Sequence, residues 1–240
     1  MNWELFKDHF HESWHKKMQP FIESDECDEI YKYLKKKSGG GKKILPSSEN
    51  VFRCFKETHL DKLNVVLVGL SPYHTMRGKT IIADGLLMGC STTQWVQPSL
   101  DQFYEGIERE LYNGLDLEIY KNPDVSYLCK QGVLMLNASL TTELFKAGKH
   151  LQLWEPFMKY LFEEILNVTG VPIVFLGKEA AKLEKYTMPL MGTFVFKLSH
   201  PASASYNGTD WNSEGTFKKI NKILKERNNV EIQWLEKIPF

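Results

Sequence analysis

Four short apolar runs in this 240-residue chain each end in residues able to do chemistry. Val65 to Val68 passes through Gly69 to Ser71, Tyr73 and His74. Val133 to Leu136 ends on Asn137, Val171 to Leu176 on Gly177 and Lys178, and Thr193 to Leu198 on Ser199 and His200. A hydroxyl, a phenol, an amide, an ammonium and two imidazoles can together hydrogen-bond a polar ligand and handle its protons. One such His is ordinarily a surface group, and one such Asn ordinarily a turn former. Recurring at four strand ends, they point to a site. Parallel strands bring their carboxyl ends to one sheet edge, where open α/β sheets bind ligands.

The elements that must hold these groups follow from local pattern. Val65 to Val68 is apolar throughout and mostly β-branched, as suits a strand buried on both faces of a parallel sheet. Pro72 disfavours helix at Ser71 and keeps the chain extended or turned there. Further strands are predicted at Gly132–Asn137, Val171–Leu176 and Thr193–Leu198. Trp3, Phe6, Phe10, Trp14 and Met18 recur at three and four residues, predicting one apolar helix face. His9, His11 and His15 read as solvated residues of that helix; their spacing makes no tight metal cluster. A second helix is predicted from Asp25 to Lys36, with Ser24 as its cap. The run Lys35 to Lys43, rich in lysine and glycine, reads as a mobile, locally basic linker, with a phosphate-backbone contact as the functional alternative. A short helix opens at Ser47 or Ser48 and carries Val51, Phe52 and Phe55. Others run from Pro98 or Ser99 to Tyr112, over Tyr127–Lys130, Gln152–Asn167 and Ala180–Lys185, and from Ser213 to Arg227. Strands alternating with helices predict an α/β fold: a three-layer α/β/α sandwich around a four-stranded parallel sheet, in one domain spanning 1–240.

Composition narrows the function. Lys plus Arg number 30, as do Asp plus Glu, which argues against a protein that coats nucleic acid by bulk charge. A local basic face remains compatible with that balance. Cys27, Cys54, Cys90 and Cys129 are widely spaced, with no Cys-x-x-Cys, and read as reduced, buried thiols. The charged N-terminus does not read as a signal peptide. No apolar run approaches the roughly 20 residues of a membrane span. The expectation is a cytoplasmic or nuclear protein with no membrane contact.

Four segments carry a family resemblance. Gly69-Leu70-Ser71-Pro72-Tyr73-His74 resembles the Gly-Gln-Asp-Pro-Tyr-His motif of the large single-domain uracil-DNA glycosylases. Lys130 to Thr141 is similar to that family's Lys-Gln-Gly-Val-Leu-Leu-Leu-Asn-x-x-Leu-Thr. Pro98-Ser99-Leu100 matches its Pro-Ser-Leu helix start, and His200-Pro201-Ala202-Ser203-Ala204-Ser205 its His-Pro-Ser-Pro-Leu-Ser segment. Order and spacing agree across nearly the whole chain.

The resemblance implies base excision: extrusion of a uracil nucleotide and hydrolysis of its N-glycosidic bond. It assigns Asn137 to reading the uracil edge and His200 to stabilising the departing base. Tyr73 would exclude a C5 methyl, and the backbone at Leu70 and Ser71 would complete the contact to O2. Ser99, Ser203 and Ser205 would touch DNA, as would Lys178 beside them. It implies no cofactor, no metal, and a monomer acting on single- or double-stranded uracil-containing DNA. Four family positions depart. The water-positioning Asp is Ser71, the stacking Phe is Met88, and the wedge Leu falls at Ala204 by direct count, with a one-residue slip suggested by Tyr206-Asn207-Gly208. The His before the Gly-Leu pair is Asp84. Two readings therefore compete. One is a glycosylase of weakened or altered activity toward uracil or a related pyrimidine. The other is an inactive glycosylase fold that binds DNA or a protein partner, such as a replication accessory.

Overall fold

The computed structural model describes residues 1–112, 119–188 and 194–237. Its centre is an all-parallel sheet of β1 (Val65–Gly69), β2 (Val133–Asn137), β3 (Ile173–Leu176) and β4 (Val195–Leu198), ordered β2-β1-β3-β4. Every residue of β1, β2 and β3 is buried, so the apolar runs serve two packed faces, as in a sheet with helices on both sides. Each such Val or Leu contributes about 1.5–3 kcal/mol by leaving water. β4 is an edge and buries only Leu198. β3 starts later than Val171 because Pro172 has no N–H to give; its carbonyl instead accepts from Val66 N at 2.9 Å. Of the fourth predicted strand, Thr193 lies outside the described residues.

Helices α1 (His15–Ile22), α2 (Asp25–Gly39), α3 (Pro98–Tyr112), α4 (Leu151–Tyr160), α5 (Pro201–Asn207) and α6 (Thr216–Asn228) clothe the sheet in the expected three layers. Ser24 caps α2, its hydroxyl accepting from Cys27 N. The four cysteines are free and buried. No helix among the described residues is long and apolar enough to cross a membrane.

Three local expectations change. The aromatic N-terminus is not one helix but three 3₁₀ turns, Trp3–Leu5, Lys7–His9 and Glu12–Trp14, leading into α1. The chain is extended at Phe10 and His11, and His11 N donates to Phe55 O at 3.1 Å, which breaks the helical ladder. Trp3, Phe10, Trp14 and Met18 are nevertheless all buried. The three histidines are half-buried instead of solvated; the His11 ring stacks on His59 with centroids 3.4 Å apart. The lysine-rich linker begins later than predicted, because α2 continues through Lys35–Lys37 to Gly39. Just beyond it, Ile44–Leu45 pairs antiparallel with Thr142–Glu143.

Asp84 stands where the family carries a His, and it builds a turn. It is 1 % exposed and accepts from Leu86 N at 3.1 Å, Ser91 N at 3.1 Å and Ser91 Oγ at 2.6 Å. Arg53 Nη1 lies 2.9 Å from its carboxylate. A Cβ on Gly89 would stand 2.2 Å from Asp84 Oδ1, so only glycine lets the turn close on the carboxylate. Within the turn, Met88 is held at φ +58. Asp84→Asn keeps the shape and removes the charge, leaving Arg53 less well compensated. Urea unfolding of this variant should show stability lower by about 1.5–3 kcal/mol; an unchanged midpoint would mean that the carboxylate is replaceable.

Candidate active site

Sheet order sets the site. Gly69 and Asn137 are register partners at the carboxyl ends of β1 and β2. Beyond them the chains stay joined, Ala138 N donating to Gly69 O at 2.8 Å and Ser139 N to Leu70 O at 3.1 Å. On the other side, β3 is followed directly by Gly177, and β4 leads through Ser199 to His200. Gly177 has φ +93, and a Cβ there would lie 3.1 Å from His200 Cβ. Glycine thus lets the imidazole lie against the end of β3. Leu70, Ser71, Asn137 and His200 consequently occupy one edge of the sheet.

Asn137 is 3 % exposed, and its Oδ1 is buried with no hydrogen-bond partner among the described residues. Stranding such an acceptor costs about 1–3 kcal/mol. A buried polar atom left unsatisfied in a folded protein calls for an explanation, and a ligand donor supplies one. Gly69 contributes to the setting: a Cβ there would stand 2.2 Å from Leu87 Cδ1 and 3.6 Å from Asn137 Oδ1. Met88, next to Leu87, is buried in the core cluster.

His200 is the N-cap of α5, with Pro201 at the first helical position. Its Nδ1 accepts from Ala202 N at 3.1 Å. A ring nitrogen that accepts carries no proton, so the neutral ring bears its hydrogen on Nε2. Burial lowers its pKa to about 4, since desolvation disfavours the cation. His200 is therefore a neutral Nε2–H donor near pH 7.

Ser71 is half-buried, and its hydroxyl accepts from Gly148 N at 3.0 Å. That bond joins the β1 loop to a segment 77 residues away, for which the sequence held no sign beyond Gly148 itself. The Tyr73 hydroxyl lies 2.7 Å from Ser99 Oγ, and burial raises the phenol's pKa, so it stays protonated. Ser99, the expected phosphate contact, is 6 % exposed, and its hydroxyl also holds Tyr73, which positions that ring.

Ala204, the expected wedge position, is buried at 7 % within the core cluster, on a helix that packs against α3. Tyr206, two residues on, is 84 % exposed. Ser203 and Lys178 are exposed and Ser205 is half-buried, so their side chains face or border solvent at the same end of the sheet. Sequence reasoning passed over Phe145, which is 73 % exposed and donates its N–H to His74 O at 2.7 Å.

Similarity to known proteins bears on the family and the fold. Residues 55–225 match the family model of the Uracil DNA glycosylase superfamily. A uracil-DNA glycosylase of Francisella tularensis subsp. novicida is 31 % identical over 223 residues, covering 91 % of this chain and 94 % of that protein. One from Francisella tularensis subsp. holarctica is 32 % identical over 213 residues, covering 86 % and 90 %. Among solved structures, the mimivirus uracil-DNA glycosylase superposes with a TM-score of 0.81 at 23 % identity, covering 98 % of this chain and 89 % of that one. A substituted mimivirus enzyme in complex with UGI gives a TM-score of 0.84 at 24 % identity, covering 98 % and 91 %. The structural likenesses speak for the fold alone; the family match and the sequence identities carry ancestry, and by them this chain belongs to the uracil-DNA glycosylase superfamily.

Proposed function

We propose that this protein, acting as one domain over its whole length, excises uracil from DNA by hydrolysing the bond between the base and deoxyribose. The observation that carries the reading is the buried, unpartnered Oδ1 of Asn137. A uracil turned into the cleft offers its N3–H to that oxygen and its O4 to the same residue's amide N–H; cytosine presents the opposite pattern at both atoms. Breaking the C–N bond leaves positive charge on the sugar and negative charge on the base, much of it at O2. The Nε2–H of His200 is set to donate to O2, with the backbone N–H groups of Leu70 and Ser71 beside it, in an oxyanion-type role. Tyr73 closes the pocket at C5, and Met88 packs on the ring. Ser71 holds the water that adds to C1′. Lys178, Ser203 and Ser205 contact the backbone, where hydroxyls and ammonium groups position DNA without reading it.

The second reading, a fold kept for binding alone, draws on Ser71, which brings no charge to the sugar cation. Uracil release from a single strand under enzyme excess separates the two. Wild type should release uracil and leave cytosine. Asn137→Ala should be slower by roughly 10–100-fold, the cost of one lost buried hydrogen-bond partner. Equal rates would remove Asn137 as the reader. A silent wild type that binds DNA in a salt-sensitive manner, indifferent to uracil, would replace the catalytic reading with the binding one.

A further inference from the structure

Phe145 sits in the left-handed region at φ +63 with its ring 73 % exposed. For a bulky side chain that conformation is a true outlier, and glycine would hold it without strain. The ring belongs to no part of the hydrophobic core. Its backbone, in contrast, is pinned: Phe145 N donates to His74 O at 2.7 Å and Lys146 N to Glu143 O at 3.0 Å, while the Thr142 hydroxyl caps Lys146 O. Three residues on, Gly148 N binds Ser71 Oγ. The segment 145–148 therefore straddles the loop that carries Ser71 and His74, with one aromatic ring held out into solvent. Strain retained in this way gathers at binding sites.

The surroundings are basic. Leu144 N donates to Lys43 O at 2.9 Å, which brings the end of the lysine-rich run alongside Phe145. Lys42, Lys43 and Lys149 are exposed, and none has a carboxylate partner among the described residues; Lys146 alone is spent, on Glu143 at 2.7 Å. A solvent-facing ring among unpaired ammonium groups has the composition of a surface for single-stranded nucleic acid, where bases stack and phosphates find cations.

We infer that Phe145 is a stacking platform for a nucleobase flanking the target nucleotide, with Lys43 and Lys149 neutralising the adjoining phosphates of a single DNA strand. This rests on the proposed action on DNA and adds to it a second contact surface beside the cleft. It also gives a role to the lysine run, which the base-excision chemistry leaves unused.

The test compares wild type, Phe145→Gly and Phe145→Trp in binding a uracil-free single strand of about 12 nucleotides, a length within the range of such sites. Phe145→Gly should weaken binding roughly five- to 150-fold, with a thermal midpoint unchanged or raised because the strain is relieved. Phe145→Trp keeps a ring at the same backbone angle and should bind like wild type. Lys43→Ala combined with Lys149→Ala should flatten the slope of log K against log salt by about 1.4. Equal binding by Phe145→Gly and wild type overturns the inference, as does a loss in Phe145→Trp as large as that in Phe145→Gly. Uracil release from a dinucleotide, too short to reach the platform, should be the same in all three proteins. Wild type that releases uracil while Phe145→Gly binds normally refutes the platform alone. Wild type that releases none, with binding still lost in Phe145→Gly, refutes the excision reading alone. Wild type that neither releases uracil nor binds the strand refutes both.

Discussion

Ser71→Asp should accelerate single-turnover uracil release by about 10²–10⁴-fold, the usual worth of a positioned general base. This corresponds to roughly 3–5 kcal/mol of barrier. The hydroxyl now at this position accepts from Gly148 N at 3.0 Å and can order a water, but it opposes no positive charge on the sugar. A carboxylate can accept the same N–H, so its orientation is prepared, and its charge is felt only as the sugar cation develops. The gain should therefore fall in kcat, while KM stays level or rises as the added charge meets DNA phosphates. The acquired activity should fade as pH drops through the ordinary aspartate range near ~3.9. A variant with the wild-type thermal midpoint and no gain in rate would show that Ser71 does not face the reacting carbon.

His200→Ala should slow release by about 10²–10³-fold, as removal of one oxyanion-type donor does. The pH profile separates this role from a merely structural one. With its pKa lowered from 6.5 to about 4, the ring is neutral from pH 5 upward. The difference between wild type and variant should then be flat from pH 5 to 9. Near pH 4 it should shrink, because protonation puts a hydrogen on Nδ1, which now accepts from Ala202 N. Stability follows the same titration. Between about pH 4 and 6.5 the unfolded chain holds a proton that the folded chain does not, so His200 makes the protein less stable as pH falls through that window. A wild-type rate that bends near 6.5, and a variant that does not, would place the ring in water and remove the preset donor.

Both effects rest on residues that the chain announces and on contacts that it does not. The apolar runs, Pro72 and the glycines at strand ends are backbone-level signals, which is why the four parallel strands and the shared edge of Asn137 and His200 were legible. Helix starts were legible for the same reason, at the Ser24 cap and at Pro98. The N-terminal aromatics kept their burial but not their helix, since periodicity reports which side chains go inward and says nothing of a bond such as His11 N to Phe55 O.

What the sequence alone determined is the type of fold, the order of strand ends and the set of groups delivered to one edge, because these follow from rules acting over a few residues. Tertiary structure decided the state of those groups. It chose the His200 tautomer through a backbone N–H at the start of α5, left Asn137 Oδ1 unpaired by burying it, and set Ser71 against Gly148. It turned Ala204 inward and Tyr206 outward, tied Ser99 to Tyr73, and enclosed Asp84 with Arg53. Most of these are meetings between segments far apart in the chain, and burial or hydrogen-bond geometry acts only where such segments come together.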